Sequence, residues 1–205
     1  MTSIIAIFLS YLFGAVSFSY VIGKKFRKLD IRDHGSGNAG ATNTLRVMGL
    51  VPAISVLLLD CSKGIVAVWI GFWLSGGNPM IAALCGFASI LGHNWPVYYG
   101  FRGGKGVATT IGVFAALVFF PALISGILGI LSIVITRFVS LGSLIFMLGT
   151  TIITALSYNY FEYPFYFVYF LLIITGLSFW RHRSNIVRLI KGEESKLGQK
   201  ETVKQ

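Results

Sequence analysis

Acidic residues are scarce in this chain of 205 residues, which has 7 Asp and Glu against 17 Lys and Arg and a formal net charge of +10. So few carboxylates argue against a Ser-His-Asp triad, and no serine lies in a G-x-S-x-G elbow. The 3 histidines lack the close helical spacing of a zinc motif, so no catalytic metal is predicted. The 2 cysteines, Cys61 and Cys85, have no CxxC spacing, which argues against a disulfide framework and a thiolate metal site.

Long apolar runs make up most of what is present. Hydrophobic residues form 55% of the chain and the mean hydropathy is +0.78, which is more apolar surface than a soluble domain of this size can hide. We therefore predict an all-α integral membrane protein with about seven transmembrane helices. The predicted spans cover residues 4–22, 51–74, 80–97, 107–119, 122–135, 141–157 and 165–180.

The distribution of positive charge predicts the orientation of these spans. Basic clusters at 24–28 and 181–204 both fall inside if the N-terminus is outside and every span crosses. The short fourth and fifth spans could form one kinked helix around Pro121, but merging them would put Arg137 and the basic tail on the wrong side. We therefore expect a single polytopic domain over 1–205, with a polar cytoplasmic tail at 191–205. Such clusters touch anionic lipid, and nothing in the sequence resembles a folded nucleic-acid module.

The segment 35–43, GSGNAGATN, is a run of small polar residues in an otherwise apolar chain. Glycines let backbone N–H groups converge on one point, and a glycine-rich turn that leads into a helix start is a natural seat for a phosphate. Arg46 follows and could add a guanidinium fork to the phosphate oxygens. A flexible linker is the alternative, which the interspersed Asn, Thr and Arg residues disfavour. The segment lacks the Lys-Ser/Thr pair of a P-loop.

A second glycine-rich turn, GGKG at 103–106, precedes the fourth span and supplies Lys105 as a point charge. The alternative is a basic turn that only sets topology. The preceding span ends in His93 and Asn94, which lipid would reject without a partner. A histidine there can donate to an oxyanion or take a proton.

Asp60 and Lys63 are ionisable residues inside the second span, where unpaired charges are costly. Their spacing puts them on one helix face, where they can neutralise each other. We favour a structural ion pair over direct substrate contact, with Lys63 adding positive potential to the site.

Two polar segments occur later in the chain. The sequence SLGS offers Ser140 and Ser143, although serine is also an ordinary packing residue in membrane helices. The basic segment after the last span carries His182 and Asn185 on one helix face. An interfacial helix on anionic lipid is the alternative for this segment.

Together these motifs resemble those of the bacterial PlsY family. The resemblance rests on GSGNAGATNTLR, LDCSKG, GHNWPVYYGFRGGKGVA, SLGS and RHRSNIVRLIKGEESKLG, which cover nearly the whole chain in matching order and spacing. It implies a membrane acyltransferase of phospholipid biosynthesis that moves a fatty acyl group from acyl-phosphate to glycerol 3-phosphate. It further implies seven spans, an extracellular N-terminus, a site on the cytoplasmic face of the bacterial inner membrane, and no cofactor, coenzyme A or acyl carrier protein.

The resemblance also implies roles for individual residues. Ser36, Arg46 and His93 are the implied catalytic residues. Acyl-phosphate binding is implied for Ser36, Gly37, Asn38, Gly40, Thr42 and Asn43. Glycerol 3-phosphate binding is implied for Arg46, His93, Asn94, Gly103, Gly104, Lys105, Ser143, His182 and Asn185, with Asp60 and Lys63 as supporting residues. The choice between Ser140 and Ser143 stays open. The first span departs from the family, because GAVSFS stands where members often carry a proline and a second glycine.

Acyl-phosphate is already activated, so we expect direct attack by the glycerol phosphate hydroxyl, without an acyl-enzyme, to give lysophosphatidic acid and phosphate. The hydroxyl proton would pass to the departing phosphate or to His93. The chain lacks the H-x-x-x-x-D box of other glycerolipid acyltransferases. The alternative function is a transporter for an anionic phosphorylated metabolite, which would carry polar residues toward the outer ends of its helices. This chain has little polar sequence there and no visible repeat.

Overall fold

The computed structural model describes residues 1–199, which form helices joined by short loops, with no strand among them. The α-helices are α1 (Thr2–Gly14), α2 (Phe18–Ile22), α3 (Ala41–Met48), α4 (Leu50–Leu74), α5 (Pro79–Asn94), α6 (Val107–Leu117), α7 (Phe119–Thr136), α8 (Val139–Ser157), α9 (Tyr166–Arg181) and α10 (Arg183–Lys191). A π-helix (Gly23–Arg27) continues α2, and 3-10 turns occupy Ile31–Asp33 and Val97–Tyr99. The predicted all-helical fold is therefore confirmed for the described residues.

The apolar helices coincide with the predicted spans. Within residues 1–199, five stretches are long and apolar enough to cross a bilayer: Thr2–Arg27, Leu50–Leu74, Pro79–Tyr99, Phe119–Thr136 and Val139–Ser157. Two shorter apolar helices, Val107–Leu117 and Tyr166–Arg181, occupy the other two predicted positions. A helix needs about 20 residues to cross the hydrocarbon core, so the short pair does not qualify by length alone. Seven crossings and the orientation of the termini stay predictions.

The boundary between the fourth and fifth predicted spans differs slightly from expectation. The sequence suggested a break at Pro121, but α6 ends at Leu117 and α7 begins at Phe119, with Val118 between them at φ −142° and ψ 61°. Pro121 lies in the first turn of α7, where a missing N–H costs nothing because that turn has no partner for it. The proline therefore belongs to the first turn of the fifth helix rather than separating that helix from the fourth.

The first predicted span is not one continuous helix. It ends as α1 at Gly14 and restarts as α2 after Ser17, whose hydroxyl oxygen accepts a hydrogen bond from the Tyr20 N–H at 3.4 Å. A serine at this position caps a helix start by satisfying an otherwise orphan N–H. The break leaves the Val16 carbonyl outside the helical ladder, and that oxygen is used at the candidate site.

The described chain falls into two compact units, residues 1–116 and residues 117–199, each of which we describe by itself. In the first unit, α4 and α5 run antiparallel, as do α1 and α5. Gly14 lies directly on the Ser89 backbone, and Gly64 lies on the Thr109 carbonyl of α6, with no room for a Cβ at either position. Small residues at such crossings let membrane helices approach closely. A single domain over the whole chain stays a prediction.

In the second unit, α7 and α8 form an antiparallel pair joined by a tight turn. Arg137 adopts the left-handed conformation that ends α7, at φ 65°. Next to this turn, a Cβ on Gly142 would lie 2.6 Å from the Gly129 carbonyl oxygen. The hydroxyls of Thr151 and Thr175 lie 2.8 Å apart and join α8 to α9 inside the bundle.

Helix α3 is short, but its position is well defined because it packs on both an apolar cluster and α4. The cluster contains buried Ile31, Ala39 and Met48. Gly49 connects α3 to α4 with φ 91°, a value that glycine adopts without strain. This packing fixes the helix that follows the first glycine-rich segment.

Candidate active site

The first glycine-rich segment is a rigid loop organised around Asn43. The buried Asn43 amide accepts from the Ser36 N–H at 2.9 Å and donates to the carbonyls of Ile31 and His34, each at 3.0 Å. Gly35 has a φ of 59° and passes so close to the Asn43 oxygen that a Cβ would collide with it. The loop is therefore a built structure and not a linker. Asn43, predicted to bind acyl-phosphate, uses its amide to shape the loop.

The loop leads into the N-terminus of α3, which has no side-chain cap. The first N–H groups of a helix have no partner within it and favour an anion. Thr42 and Arg46 are half-buried and lie one helical turn apart, while Ser36 and Gly37 in the loop are exposed. This end of the molecule thus combines backbone N–H groups, hydroxyls and a guanidinium.

The second glycine-rich turn is attached to the end of α5. The Gly104 N–H donates to the His93 carbonyl at 3.1 Å. A Cβ on Gly104 would collide with Nε2 of His93 and lie 2.5 Å from the Ala39 carbonyl oxygen. Lys105 follows, half-buried, and α6 begins after Gly106. The structure therefore brings together three predicted features: the first loop, the second turn and His93.

Asn94 lies beside this junction and is almost completely buried, with 1% of its surface exposed. Neither its amide nitrogen nor its amide oxygen has a hydrogen-bond partner within residues 1–199. The start of α6 approaches it closely, since a Cβ on Gly106 would lie 2.8 Å from the Asn94 oxygen. An unsatisfied buried polar group costs about 1–3 kcal/mol. Such a group in a polar setting indicates a position for a ligand.

Asp60, Lys63 and His93 form a buried charged cluster in the first unit. The Lys63 ammonium lies 2.9 Å from the Asp60 carboxylate and 3.0 Å from Nδ1 of His93, and it donates to the Val16 carbonyl at 3.0 Å. The predicted ion pair is therefore present, and it contacts a predicted catalytic residue. The carbonyl exposed by the break in the first span completes the surroundings of the ammonium.

A second ion pair connects the first loop to the segment after α5. Arg32 holds Asp30 through two hydrogen bonds of 2.9 and 2.7 Å, and donates to the Tyr99 carbonyl at 2.7 Å. The hydrogen bonds from Arg32 lower the pKa of Asp30 to about 2. Both side chains are about 15% exposed. This clamp holds the entrance of the loop at 35–43 against the 3-10 turn at Val97–Tyr99.

The polar residues of the second unit gather around a carboxylate that the sequence analysis did not single out. Glu194 is 7% exposed and accepts hydrogen bonds from Ser140 at 2.8 Å, Asn185 at 2.6 Å and Arg188 at 2.8 Å. Burial alone would raise the pKa of Glu194, but the hydrogen bonds from Asn185, Ser140 and Arg188 bring it below its usual value. The carboxylate therefore stays charged and organises the donors around it.

Ser143 and His182 also belong to the second unit. The Ser143 hydroxyl donates to the Val139 carbonyl of its own helix at 2.8 Å, so its oxygen can still accept. Nδ1 of His182 lies 2.8 Å from the Ser178 carbonyl oxygen. A carbonyl only accepts, so this nitrogen carries a proton. Of the two candidate serines, Ser140 is the one held by Glu194.

Sequence reasoning missed Glu194, the Val16 carbonyl and the Arg32 clamp. A signal for Glu194 existed in the sequence, because the acidic segment GEES at 192–195 interrupts the basic tail. The use of the Val16 carbonyl and of the Arg32 clamp could not be predicted from residue type, because both depend on contacts that only the fold creates. Within residues 1–199, no group of three or more His, Cys, Asp and Glu side chains is placed to hold a metal ion.

Known proteins resemble this chain over almost its whole length. A family model described as glycerol-3-phosphate acyltransferase matches residues 4–192. A glycerol-3-phosphate acyltransferase of Shouchella clausii is 56% identical over 202 residues, 98% of each chain, and one of Halalkalibacterium halodurans is 58% identical over 192 residues, 93% of each. The crystal structure of PlsY (YgiH), an integral membrane glycerol 3-phosphate acyltransferase in its glycerol 3-phosphate form, matches with a TM-score of 0.89 at 34% identity, over 97% of this chain and 96% of that one.

Proposed function

Because this chain belongs to the glycerol-3-phosphate acyltransferase family, we propose that it transfers a fatty acyl group from acyl-phosphate to glycerol 3-phosphate. The products are lysophosphatidic acid and inorganic phosphate, and the reaction belongs to phospholipid biosynthesis. Solved PlsY structures with glycerol 3-phosphate and with lysophosphatidic acid support this choice of acceptor and product.

The observation that carries the proposal is the junction at Gly104. Two glycine-rich turns from distant parts of the chain meet there, one through Ala39 and the other through Gly104 itself, with His93 between them. A reaction between two phosphate-bearing substrates needs two anion sites close enough together for the acceptor hydroxyl to reach the carbonyl carbon of the acyl-phosphate. Backbone N–H groups and cations supply such sites without bringing in carboxylates that would repel the substrates.

We assign acyl-phosphate to the first loop and glycerol 3-phosphate to the second turn. The acyl-phosphate residues are Ser36, Gly37, Asn38, Gly40, Thr42 and Asn43. Asn43 acts indirectly, because its amide holds the loop backbone in place. The glycerol 3-phosphate residues are Arg46, His93, Asn94, Gly103, Gly104, Lys105, Ser143, His182 and Asn185. The unsatisfied amide of Asn94 supports its place in this set. Ser36, Arg46 and His93 are the proposed catalytic residues, with Asp60 and Lys63 in support.

The proposed reaction is a direct displacement. The glycerol phosphate hydroxyl oxygen attacks the carbonyl carbon of acyl-phosphate and forms the ester bond, while the bond from that carbon to the phosphate oxygen breaks. The hydroxyl proton ends on the released inorganic phosphate. The protein contributes mainly by holding two mutually repelling anions in reacting geometry and by stabilising the charge that develops on the carbonyl oxygen.

The membrane placement is part of the proposal. The basic loops favour a site on the cytoplasmic face of the bacterial inner membrane. The acyl chain then lies among the helices at lipid depth, where its hydrocarbon needs no solvation by water. The whole chain acts as one polytopic domain.

Purified protein supplied with acyl-phosphate and glycerol 3-phosphate tests the reaction. We expect equal amounts of lysophosphatidic acid and inorganic phosphate, and no turnover when glycerol 3-phosphate is replaced by glycerol. Release of phosphate without lysophosphatidic acid would show that the protein hydrolyses acyl-phosphate instead of transferring its acyl group, and would contradict the proposal. Flux of glycerol 3-phosphate into sealed vesicles, without acyl transfer, would support the transporter instead.

Substitutions in the first loop test the site. Ser36→Ala and Arg46→Ala should each lower kcat/KM by about 100-fold or more, because each removes a group that acts on the reacting phosphate. Ser55→Ala and Arg27→Ala are matched controls, since Ser55 is half-buried, Arg27 is exposed, and both lie outside the loop. Near-normal turnover in Ser36→Ala and Arg46→Ala would overturn the assignment of this loop.

Incubation with acyl-phosphate alone tests the direct displacement. We expect no labelled protein after acid quench, because the acyl group passes straight to the acceptor hydroxyl. A stable acyl-enzyme that transfers its acyl group on addition of glycerol 3-phosphate would replace the single displacement with two steps.

A further inference from the structure

Lys63 occupies an unusual position for a lysine in a membrane span. Its side chain is completely buried, at 0% exposure, and its ammonium contacts three groups from three different segments. We propose that Lys63 is a positioning residue, which fixes His93 in the tautomer with a bare Nδ1 and a protonated Nε2. His93 then presents a hydrogen-bond donor to the substrate rather than a proton acceptor.

The distances around Nδ1 of His93 decide the tautomer. The Lys63 ammonium lies 3.0 Å from Nδ1, whereas the Asp60 carboxylate lies 3.6 Å away, beyond hydrogen-bonding range. An ammonium group has three donors and no acceptor. Nδ1 must therefore accept from Lys63 with its lone pair. A neutral imidazole has one N–H, so that proton lies on Nε2.

The charges around the ammonium keep it in the form that this argument requires. Asp60, one helical turn away on α4, lies 2.9 Å from the ammonium and balances its charge in a region that water does not reach. The Val16 carbonyl accepts the remaining N–H at 3.0 Å. Three groups thus surround the Lys63 ammonium within 3.0 Å: the Asp60 carboxylate as an ion pair, and the Val16 carbonyl and Nδ1 of His93 as hydrogen-bond acceptors.

The protonated Nε2 of His93 faces the second glycine-rich turn. A Cβ on Gly104 would collide with this atom, so the turn approaches it as closely as a glycine allows. An N–H directed at a phosphate-binding turn adds a donor for a phosphate oxygen. This last step rests on the proposed function, because only that function names the phosphate; the tautomer itself follows from the protein alone.

His182 provides an internal reference within the same protein. Its Nδ1 lies 2.8 Å from the Ser178 carbonyl oxygen, which can only accept, so Nδ1 carries the proton in this residue. The two histidines therefore have opposite requirements at Nδ1. A method that reports the protonation of each ring nitrogen should detect both patterns in one sample.

NMR of the full-length protein with isotopically labelled histidine nitrogens tests the tautomer without any substrate. The His93 signals are assigned by their loss in His93→Gln. We expect a bare Nδ1 and a protonated Nε2 for His93 at neutral pH, and a protonated Nδ1 for His182. A protonated Nδ1 at His93 in the unaltered protein would overturn the proposal.

The dependence on Lys63 is tested with a charge-neutral pair of substitutions, because removing one partner of a buried ion pair can prevent folding. In the double variant Asp60→Asn with Lys63→Met, the preference at His93 should be lost and a protonated Nδ1 should appear. Ser62→Ala, an exposed position on the same helix, is the control and should leave the His93 pattern unchanged. An unchanged pattern in the double variant would show that Lys63 does not set the tautomer.

Kinetics distinguish a donor from a base at the same position. Glutamine offers an N–H in place of Nε2 but has no basic nitrogen, so His93→Gln should keep kcat/KM within about tenfold. Loss of a general base would lower it by about 10²–10⁴-fold, and a loss of that size in His93→Gln would contradict the donor role. If the unaltered protein transfers no acyl group at all, the proposed function fails, while the NMR result still decides the tautomer.

Discussion

The two compact units each contain a polar cluster, and the clusters differ in how their donors are used. In the second unit, Ser140, Asn185 and Arg188 all donate to one carboxylate of the chain itself, that of Glu194. In the first unit, neither polar atom of the buried Asn94 amide has a hydrogen-bond partner within residues 1–199. The Glu194 carboxylate organises donors from its own chain, whereas the Asn94 amide, buried without a partner, indicates a position for a ligand.

The two histidines show the same contrast at the level of single atoms. Nδ1 of His93 faces a cation and Nδ1 of His182 faces a carbonyl, so the two rings present opposite groups on their other nitrogen. Residue type alone could not separate them. The difference lies in what each ring contacts. His93 contacts Lys63, which also binds the Val16 carbonyl freed by the break in the first span, whereas His182 contacts the Ser178 carbonyl of α9.

The largest effect is expected from Gly104→Ala. The new Cβ would collide with Nε2 of His93 and with the Ala39 carbonyl, so one of the two glycine-rich turns, the proposed phosphate sites, must move. A displacement of about 1 Å can cost 100-fold in rate, and we expect at least that loss in kcat/KM. Steady-state acyl transfer by the membrane-inserted variant is the measurement.

Gly176→Ala is the matched control for this substitution. Gly176 is helical, and a Cβ there would meet nothing within 4 Å. Its activity should stay within about twofold of the parent, as for other substitutions in open space. If Gly104→Ala were as active as Gly176→Ala, the two turns would not need their close contact for function.

The same change at two buried asparagines should have opposite effects on stability. Asn94→Leu removes an amide without partners, so stability should be unchanged or raised by about 1 kcal/mol. Asn185→Leu removes the donor that lies 2.6 Å from Glu194, and should cost about 1.5–3 kcal/mol, the range for hydrogen bonds to charged groups.

Thermal unfolding in one detergent, combined with KM for glycerol 3-phosphate, separates the two variants. Asn94→Leu should raise KM by about tenfold or more while the unfolding temperature holds. A clear loss of stability in Asn94→Leu would mean that its amide has a structural partner, and the contrast between the clusters would disappear.

Glu194→Gln should destabilise the second unit at neutral pH. The glutamine amide brings an N–H toward donors that need an acceptor, and the expected cost is about 1.5–3 kcal/mol. Glu193→Gln, at the exposed neighbouring position, should have little effect. Equal unfolding temperatures for the two variants would remove Glu194 as the centre of its cluster.

The effect of Glu194 should also depend on pH in a defined direction. Its pKa is lower in the folded protein than in the unfolded chain, so its contribution is complete above the usual glutamate value of about 4.3. The contribution of Glu194 to stability is lost as the pH falls below the usual glutamate pKa and then through the lower pKa that Glu194 has in the folded protein. The gap in stability between the parent and Glu194→Gln should therefore narrow on acidification, and a gap that widens would contradict the assignment.

Hydrophobic runs predicted the helices of this fold well, because hydropathy is encoded residue by residue. The boundary at Val118 was placed too late, since Pro121 resembles a terminator but is also favoured in a first helical turn. The break after Gly14 was missed. It depends on a serine cap and on a buried lysine that binds the freed carbonyl, and neither is visible in hydropathy.

The candidate site was predicted in its composition but not in its connections. Glycine-rich segments are recognisable from residue type alone, so both turns could be found in the sequence. Ala39 contacts Gly104, and Lys63 contacts His93, only because the fold brings together residues that are far apart in the sequence. Local sequence patterns do not predict such contacts. Asn43 illustrates the limit: the sequence placed it at a ligand, whereas its amide is used by the loop backbone.

The smallest effect is expected from Asp30→Asn, which weakens the clamp on the first loop. Arg32 would lose its carboxylate partner but keep its hydrogen bond to the Tyr99 carbonyl, so we expect a loss of about 1 kcal/mol. That corresponds to roughly 2–4 °C in unfolding temperature for a chain of this size. The pKa of Asp30 is about 2, below its usual value, so the contribution of its ion pair to stability is present above about pH 4 and is lost as the pH falls toward 2.

Asp33→Asn is the control for this substitution. The Asp33 carboxylate lies 3.8 Å from Arg102 and both side chains are about two-thirds exposed, so this ion pair contributes little to stability in water. Equal unfolding temperatures for the two variants would show that the Arg32 clamp does not stabilise the first loop, which would then depend on the hydrogen bonds of the Asn43 amide.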